Sequence, residues 1–139
     1  MRKLLLGLLL LGCLGCNKKA VQAPVPGTIN TFDAYAARTV GDAQEALMSA
    51  KTWESCSDQK FPIAVTIDGE TRGCDASSGP FPASGRPILF KAEGTYNLAL
   101  SAAQAYHSGA SQDTAGLTQA LTQLGLDIGN LLTSVGKGR

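Results

Sequence analysis

Residues 117–135, LTQALTQLGLDIGNLLTSV, decide the fold. Leu117, Leu121, Leu124, Ile128, Leu131 and Val135 recur at spacings of 4, 3, 4, 3 and 4, the period of an amphipathic α-helix. Gln119, Gln123, Asp127, Asn130 and Ser134 form the opposite, polar stripe. A helix this amphipathic packs its apolar stripe against neighbours and does not span a membrane. Gly125 and Gly129 form G-x-x-x-G within it. Each glycine costs about 1 kcal/mol in a helix relative to alanine, so the expectation is a compensating close approach to Ala99 and Ala103 of the preceding helix. A second copy of the chain is the other occupant those glycines suggest.

Working upstream, Gly109 is a helix stop, and Ser111 with Asp113 starts the helix just described. Before that turn, Leu89, Ala92, Tyr96, Ala99, Ala103 and Tyr106 recur at 3, 4, 3, 4 and 3, with Pro87 suited to the first turn. The short connection makes these second and third helices an antiparallel hairpin. A first helix is predicted from about Thr31 to Trp53, because Phe32, Ala36, Val40, Ala43, Leu47 and Ala50 form one stripe. Asn30 is its expected N-cap. Trp53 closes the stripe, where a large aromatic serves as a core plug or as a ligand-stacking group.

Between the first two helices, residues 54–86 lose the helical period. Phe61-Pro-Ile-Ala-Val-Thr-Ile67 is rich in β-branched residues and runs into Asp68-Gly69, the dipeptide of a two-residue hairpin turn. Glu70 to Cys74 is the return strand, and Asp75 to Arg86 a loop by composition. Outside the first seventeen residues only Cys56 and Cys74 remain. A disulfide between them would close a loop of about 18 residues and stabilise the domain by roughly 3 kcal/mol. Two roles are open to the insertion: a recognition surface carrying Trp53, Phe61, Asp68, Gly69 and Phe81, or a pin holding the ends of the first two helices together. The fold class is therefore mainly α: a three-helix bundle over 30–136 with a disulfide-closed loop or β-hairpin insertion at 54–86.

The chain opens with MRKLLLGLLLLGCLGCN. Arg2 and Lys3 precede a short leucine run, and the run ends in small residues and cysteine, the order of a secretory signal. A permanent span needs about 20 apolar residues, more than this stretch supplies. Through Leu10-Leu11-Gly12-Cys13 and Cys13-Leu14-Gly15-Cys16 it resembles the signal and lipobox of a bacterial lipoprotein precursor. The resemblance implies a signal peptide over 1–15, cleavage before Cys16 with Cys13 as the alternative, and diacylglycerol on that thiol with a further fatty-acyl chain such as palmitate on the new amino group. Two or three acyl chains, at roughly 0.8 kcal/mol per buried methylene, hold such a product on the membrane. It also implies a cell-envelope location facing the periplasm or exterior. The absence of Asp after Cys16 favours the outer membrane in a cell that has one. Residues 16–29, rich in proline and lysine, read as the lipid-anchored linker.

Composition bounds what such a domain does. Removing Arg2 and Lys3 leaves 10 basic against 11 acidic residues, with no basic face for nucleic acid. Cys13 and Cys16 spell C-x-x-C, but inside a leucine run this marks neither a redox pair nor a zinc site. His107, the only histidine, is placed to meet the dipole at the end of the second helix. No G-x-S-x-G, H-E-x-x-H or phosphate loop occurs. The expectation is a non-enzymatic interaction module, without metal or cofactor, bound to the membrane by its lipid and to an unidentified envelope protein. A self-associating structural lipoprotein (a homo-oligomer) and a small lipoprotein acting on the membrane in lysis or envelope stress are the alternatives.

Overall fold

Three apolar stripes converge on one core, and three helices carry them. The computed structural model describes residues 31–136; Cys13, Cys16, the linker and Asn30 lie outside the described residues. Helix α1 spans Thr31–Asp58, strands β1 and β2 span Ala64–Ile67 and Glu70–Gly73, and a 3₁₀ turn covers Ala76–Ser78. Helices α2, Gly85–His107, and α3, Thr114–Gly136, complete the chain. The stripe residues Leu117, Leu124 and Leu131 of α3 are fully buried against Ala36 and Ala43 of α1 and Leu89, Ala92 and Ala99 of α2. The bundle and helical hairpin expected from the sequence are thus present, as is the Cys56–Cys74 disulfide.

Polar pairs mark both ends of the antiparallel α1–α2 contact. His107 Nδ1 lies 2.6 Å from Asp33 Oδ2 at one end, and Arg86 binds Asp58 at the other. The histidine thus joins the end of α2 to the start of α1. Nearby, Phe32 meets Tyr106 edge to face at 5.5 Å.

Helix α1 is buried on two sides. Its stripe faces the bundle, while Met48, Thr52 and Cys56, spaced by four, are also buried and so share a second face. The hairpin covers that face: Val65 is buried, β1 packs on α1, and the disulfide bonds Cys56 to the residue following β2. Asp68 and Gly69 have φ of 50° and 82°, as a type I′ turn requires. The pairing runs from Ala64 opposite Gly73 to Ile67 opposite Glu70.

The structure corrects several sequence expectations. Helix α1 continues to Asp58 instead of ending at Trp53, because Cys56 belongs to the face beneath the hairpin and not to the bundle stripe. Helix α2 begins at Gly85, so the insertion is shorter than 54–86. Phe81 is not part of a surface: it is 5% exposed, meets Trp53 edge to face at 5.1 Å, and plugs the end of the bundle. Its N–H donates to Ser57 Oγ at 2.9 Å, while Trp53 Nε1 donates to the Gly79 carbonyl at 2.7 Å. A Cβ on Gly85 would lie 3.1 Å from the Phe81 ring and 3.3 Å from Val135, which is why the first turn of α2 is glycine. Gly125 and Gly129 do not pack against α2; both are exposed, and a Cβ on either would touch nothing within 4 Å. Asp127, placed on the polar stripe, is instead 2% exposed. It sits on the flank of α3 beside α2, where Lys91 and Thr95 reach it.

Candidate functional site

The hairpin tip and the flanks of α1 and α2 enclose a concave face of two adjoining hollows. One, of about 430 Å³, has Gln44, Met48, Tyr96 and Asn97 in its walls and Asp68 and Glu70 at its hairpin side. The other, of about 550 Å³, is bounded by Ile67 of β1, Glu54 and Asp58 of α1, and Arg86 and Phe90 of α2. Lys51 and Glu93 line both and form the divide.

Sequence spacing explains why these side chains meet. Lys51, Glu54 and Asp58 are three and four residues apart, hence on one side of α1. Arg86, Phe90 and Glu93 are likewise four and three apart on α2. The hairpin runs back across α1, and its two-residue turn leaves Asp68 over Lys51.

The charges on and beside this face share one arrangement. Lys51 Nζ lies 2.7 Å from Asp68 Oδ2 and 2.9 Å from Glu93 Oε1. Arg72 takes both oxygens of Glu45 at 3.0 and 3.1 Å and reaches Glu70 at 3.3 Å. Arg86 binds Asp58 and lies 3.6 Å from Glu54. Each of these three cations is thus divided between two carboxylates; Arg72 and Glu45 line neither hollow, and the charged residues that do, Lys51 and Arg86 with Glu54, Asp58, Asp68, Glu70 and Glu93, carry a net charge of −3. Residues 31–136 hold all eleven acidic residues but only six of the twelve basic ones, a net charge of −5.

Those pairings hold the cations in their charged form. Burial lowers the Lys51 ammonium, but hydrogen bonds to Asp68 and Glu93 outweigh it, and the net shift is upward from 10.5. The bidentate bond to Glu45 is the largest effect on Arg72 and raises it despite burial. Burial also pushes the Tyr96 phenol upward. Lys51, 25% exposed, is therefore a charged strut across the groove and not a neutral amine available as a base.

Of the five residues expected to form an interaction surface, Asp68 and Gly69 occupy the exposed hairpin tip, and Asp68 enters the charged face. Phe61 is half-buried just beyond α1, with its N–H donated to the Cys56 carbonyl at 2.6 Å. Trp53 and Phe81 turn inward together. Lys51, Glu54, Asp58, Arg86, Phe90 and Glu93 belong to no motif of the sequence. Their only signal there is charge at helical spacing, which also describes any solvated helix face.

Among the described residues no three His, Cys, Asp or Glu side chains converge as a metal-ligand set, and no helix is long and apolar enough to cross a membrane. Compared with protein-family models, curated proteins and solved structures, the chain finds no match. The site defines a class by its chemistry alone: a disulfide-tied helical bundle with an acidic, hairpin-roofed groove.

Proposed function

We propose that the protein is a lipid-anchored interaction module of the bacterial cell envelope, whose acidic concave face receives a cationic segment of another envelope protein. The observation that carries this reading is the concave face on which Lys51 and Arg86, each divided between two carboxylates, are outnumbered by Glu54, Asp58, Asp68, Glu70 and Glu93. Such a surface keeps unspent negative potential in a concave setting, which attracts and orients a positively charged partner. The N-terminal cysteine motif supports the anchor, and the proline-containing residues 16–29 suit a spacer between lipid and domain. The net charge of −5 over residues 31–136 argues against direct action on an anionic bilayer, which would repel it.

Two measurements test the reading. The intact mass of the chain extracted from membranes should fit an acylated Cys16 or Cys13, with two thiols appearing only on reduction. An unlipidated mass refutes the anchor. Binding of a lysine-containing peptide should weaken with added salt and fall about tenfold in Glu54→Lys/Asp58→Lys; binding indifferent to both changes refutes the acidic face. Self-association is the second reading, favoured by Gly125 and Gly129 lying open beside Leu126 and Leu132, which are 59% and 52% exposed. Sedimentation as a monomer at all concentrations removes it.

A further inference from the structure

The hairpin has a backbone feature that the charged side chains do not explain. In an antiparallel pair, residues alternate between those bonded across the ladder and those whose N–H and C=O point away from it. The Cys74 N–H donates to the Ile63 carbonyl at 3.0 Å, which sets the phase of the ladder. With Val65 opposite Arg72 and Ile67 opposite Glu70, the residues bonded to β2 are Ile63, Val65 and Ile67. Ala64 and Thr66 therefore turn their backbone groups to the outer edge of β1, where no described residue bonds them.

Proteins blunt open edges with charges, bulges or covering segments. Here Phe61 to Ile67 contains no charged residue, and Ile63 is 95% exposed. Ile67 of this strand lines the larger hollow together with Phe90, 77% exposed, and with Glu54 and Asp58, which share Arg86. Pro62 limits the edge at one end and the Asp68-Gly69 turn at the other. The four residues of β1 offer roughly 13 Å of edge at about 3.3 Å per residue.

We propose that this edge takes up the partner's cationic segment as a third strand, a mode of recognition that rests on the acidic-face reading above. Main-chain bonds to Ala64 and Thr66 hold the segment, and alternate side chains, all on one side of a strand, carry its positive charges toward Glu54 and Asp58. Phe90 packs on an apolar side chain of the same row. The recognised chemistry is a short extended peptide in which Lys or Arg alternates with β-branched residues.

The test uses the full chain in detergent and three octapeptides: alternating lysine and valine, alternating lysine and proline, and alternating glutamate and valine. Amide exchange should be fast at Ala64 and Thr66 in the free protein and slow by about tenfold or more with the lysine–valine peptide, while Val65 and Ile67 stay protected throughout. Thr66→Pro removes one outward N–H and the side-chain contact to Thr71 at 3.3 Å while leaving the main-chain ladder to β2 in place, and should weaken that peptide about tenfold. Binding without new protection at Ala64 and Thr66 overturns the proposal, as does a folded Thr66→Pro that binds normally. Equal binding of the lysine–proline peptide overturns the added strand and leaves the acidic face standing. No binding of either lysine peptide at low salt removes both. Protection that rises with protein concentration alone assigns the edge to a second copy and overturns the proposal.

Discussion

Replacing Asp127 separates the two ways in which a buried carboxylate can matter. Its Oδ1 accepts from Lys91 Nζ at 2.8 Å and Gln123 Nε2 at 3.2 Å, and its Oδ2 accepts from Thr95 Oγ1 at 2.7 Å. Asp127→Ala loses all three and leaves a gap on the α2–α3 seam. Lys91 is 65% exposed, so water screens its pair and that bond contributes about 1 kcal/mol. The Thr95 bond is worth about 1 kcal/mol, and the missing volume about 1 more. The expected loss is about 3 kcal/mol, at the lower end of what breaking a buried pair costs. Asp127→Leu refills the volume, and Lys91, Thr95 and Gln123 can all turn to water, so its cost should stay within about 1 kcal/mol. Urea denaturation at pH 7 measures both. A loss below about 1 kcal/mol for the alanine variant would refute the view that the network holds this seam. A leucine variant as unstable as alanine would show that the polar bonds, not the volume, set the packing. The pH dependence gives a third readout. The bond from Lys91, opposed by burial and aided by Thr95 and Gln123, holds the Asp127 carboxyl below its usual 3.8. Its contribution is therefore complete above about pH 4 and is lost as pH falls through the lower folded-state value. Asp127→Leu should shed that part of the acid dependence, and an unchanged acid limb would refute the assignment.

Three further outcomes follow from the packing. Gly125→Ala and Gly129→Ala should each stabilise the fold by up to about 1 kcal/mol, since both positions are helical and open; destabilisation would reveal a close contact there. Gly85→Ala should cost about 1–3 kcal/mol by driving Phe81 and Val135 aside, and a melting curve like that of the parent chain would contradict the plug. Cys56→Ser/Cys74→Ser should lose about 3 kcal/mol, with amide exchange accelerating first across residues 64–73; uniform acceleration over the bundle would mean that the hairpin is not the part released.

The helices were legible because each carries its apolar residues at one unbroken period, and the hairpin because β-branched residues run into Asp68-Gly69. What escaped depends on contacts between distant segments. Met48, Thr52 and Cys56 form a second buried row only once the hairpin covers them, so the end of α1 could not be placed from the bundle stripe. Phe81 sits among prolines and glycines that spell a loop, and its burial needs Trp53, Gly85 and Val135 from all three helices. Asp127 looked solvated because no local pattern announces that Lys91, thirty-six residues earlier, would complete it. Gly125 and Gly129 have the spacing of a packing motif, yet the leucine stripe of α3 already fills the side that faces α2. The charged groove drew on three segments, and of its members only Asp68 stood in a recognisable local motif.

The covalent bond between Cys56 and Cys74 changes how the hairpin bears load. A two-stranded hairpin alone is marginally stable, and a ligand pulling on its edge would ordinarily peel it from its support. Here the pull passes through sulfur into the last turns of α1, whose opposite side is embedded in the bundle. The hairpin is therefore held at both ends, by the disulfide near its base and by the Asp68–Lys51 pair at its tip. A load placed on the hairpin edge is thereby carried into the bundle, and the surface of the hairpin keeps its shape under it.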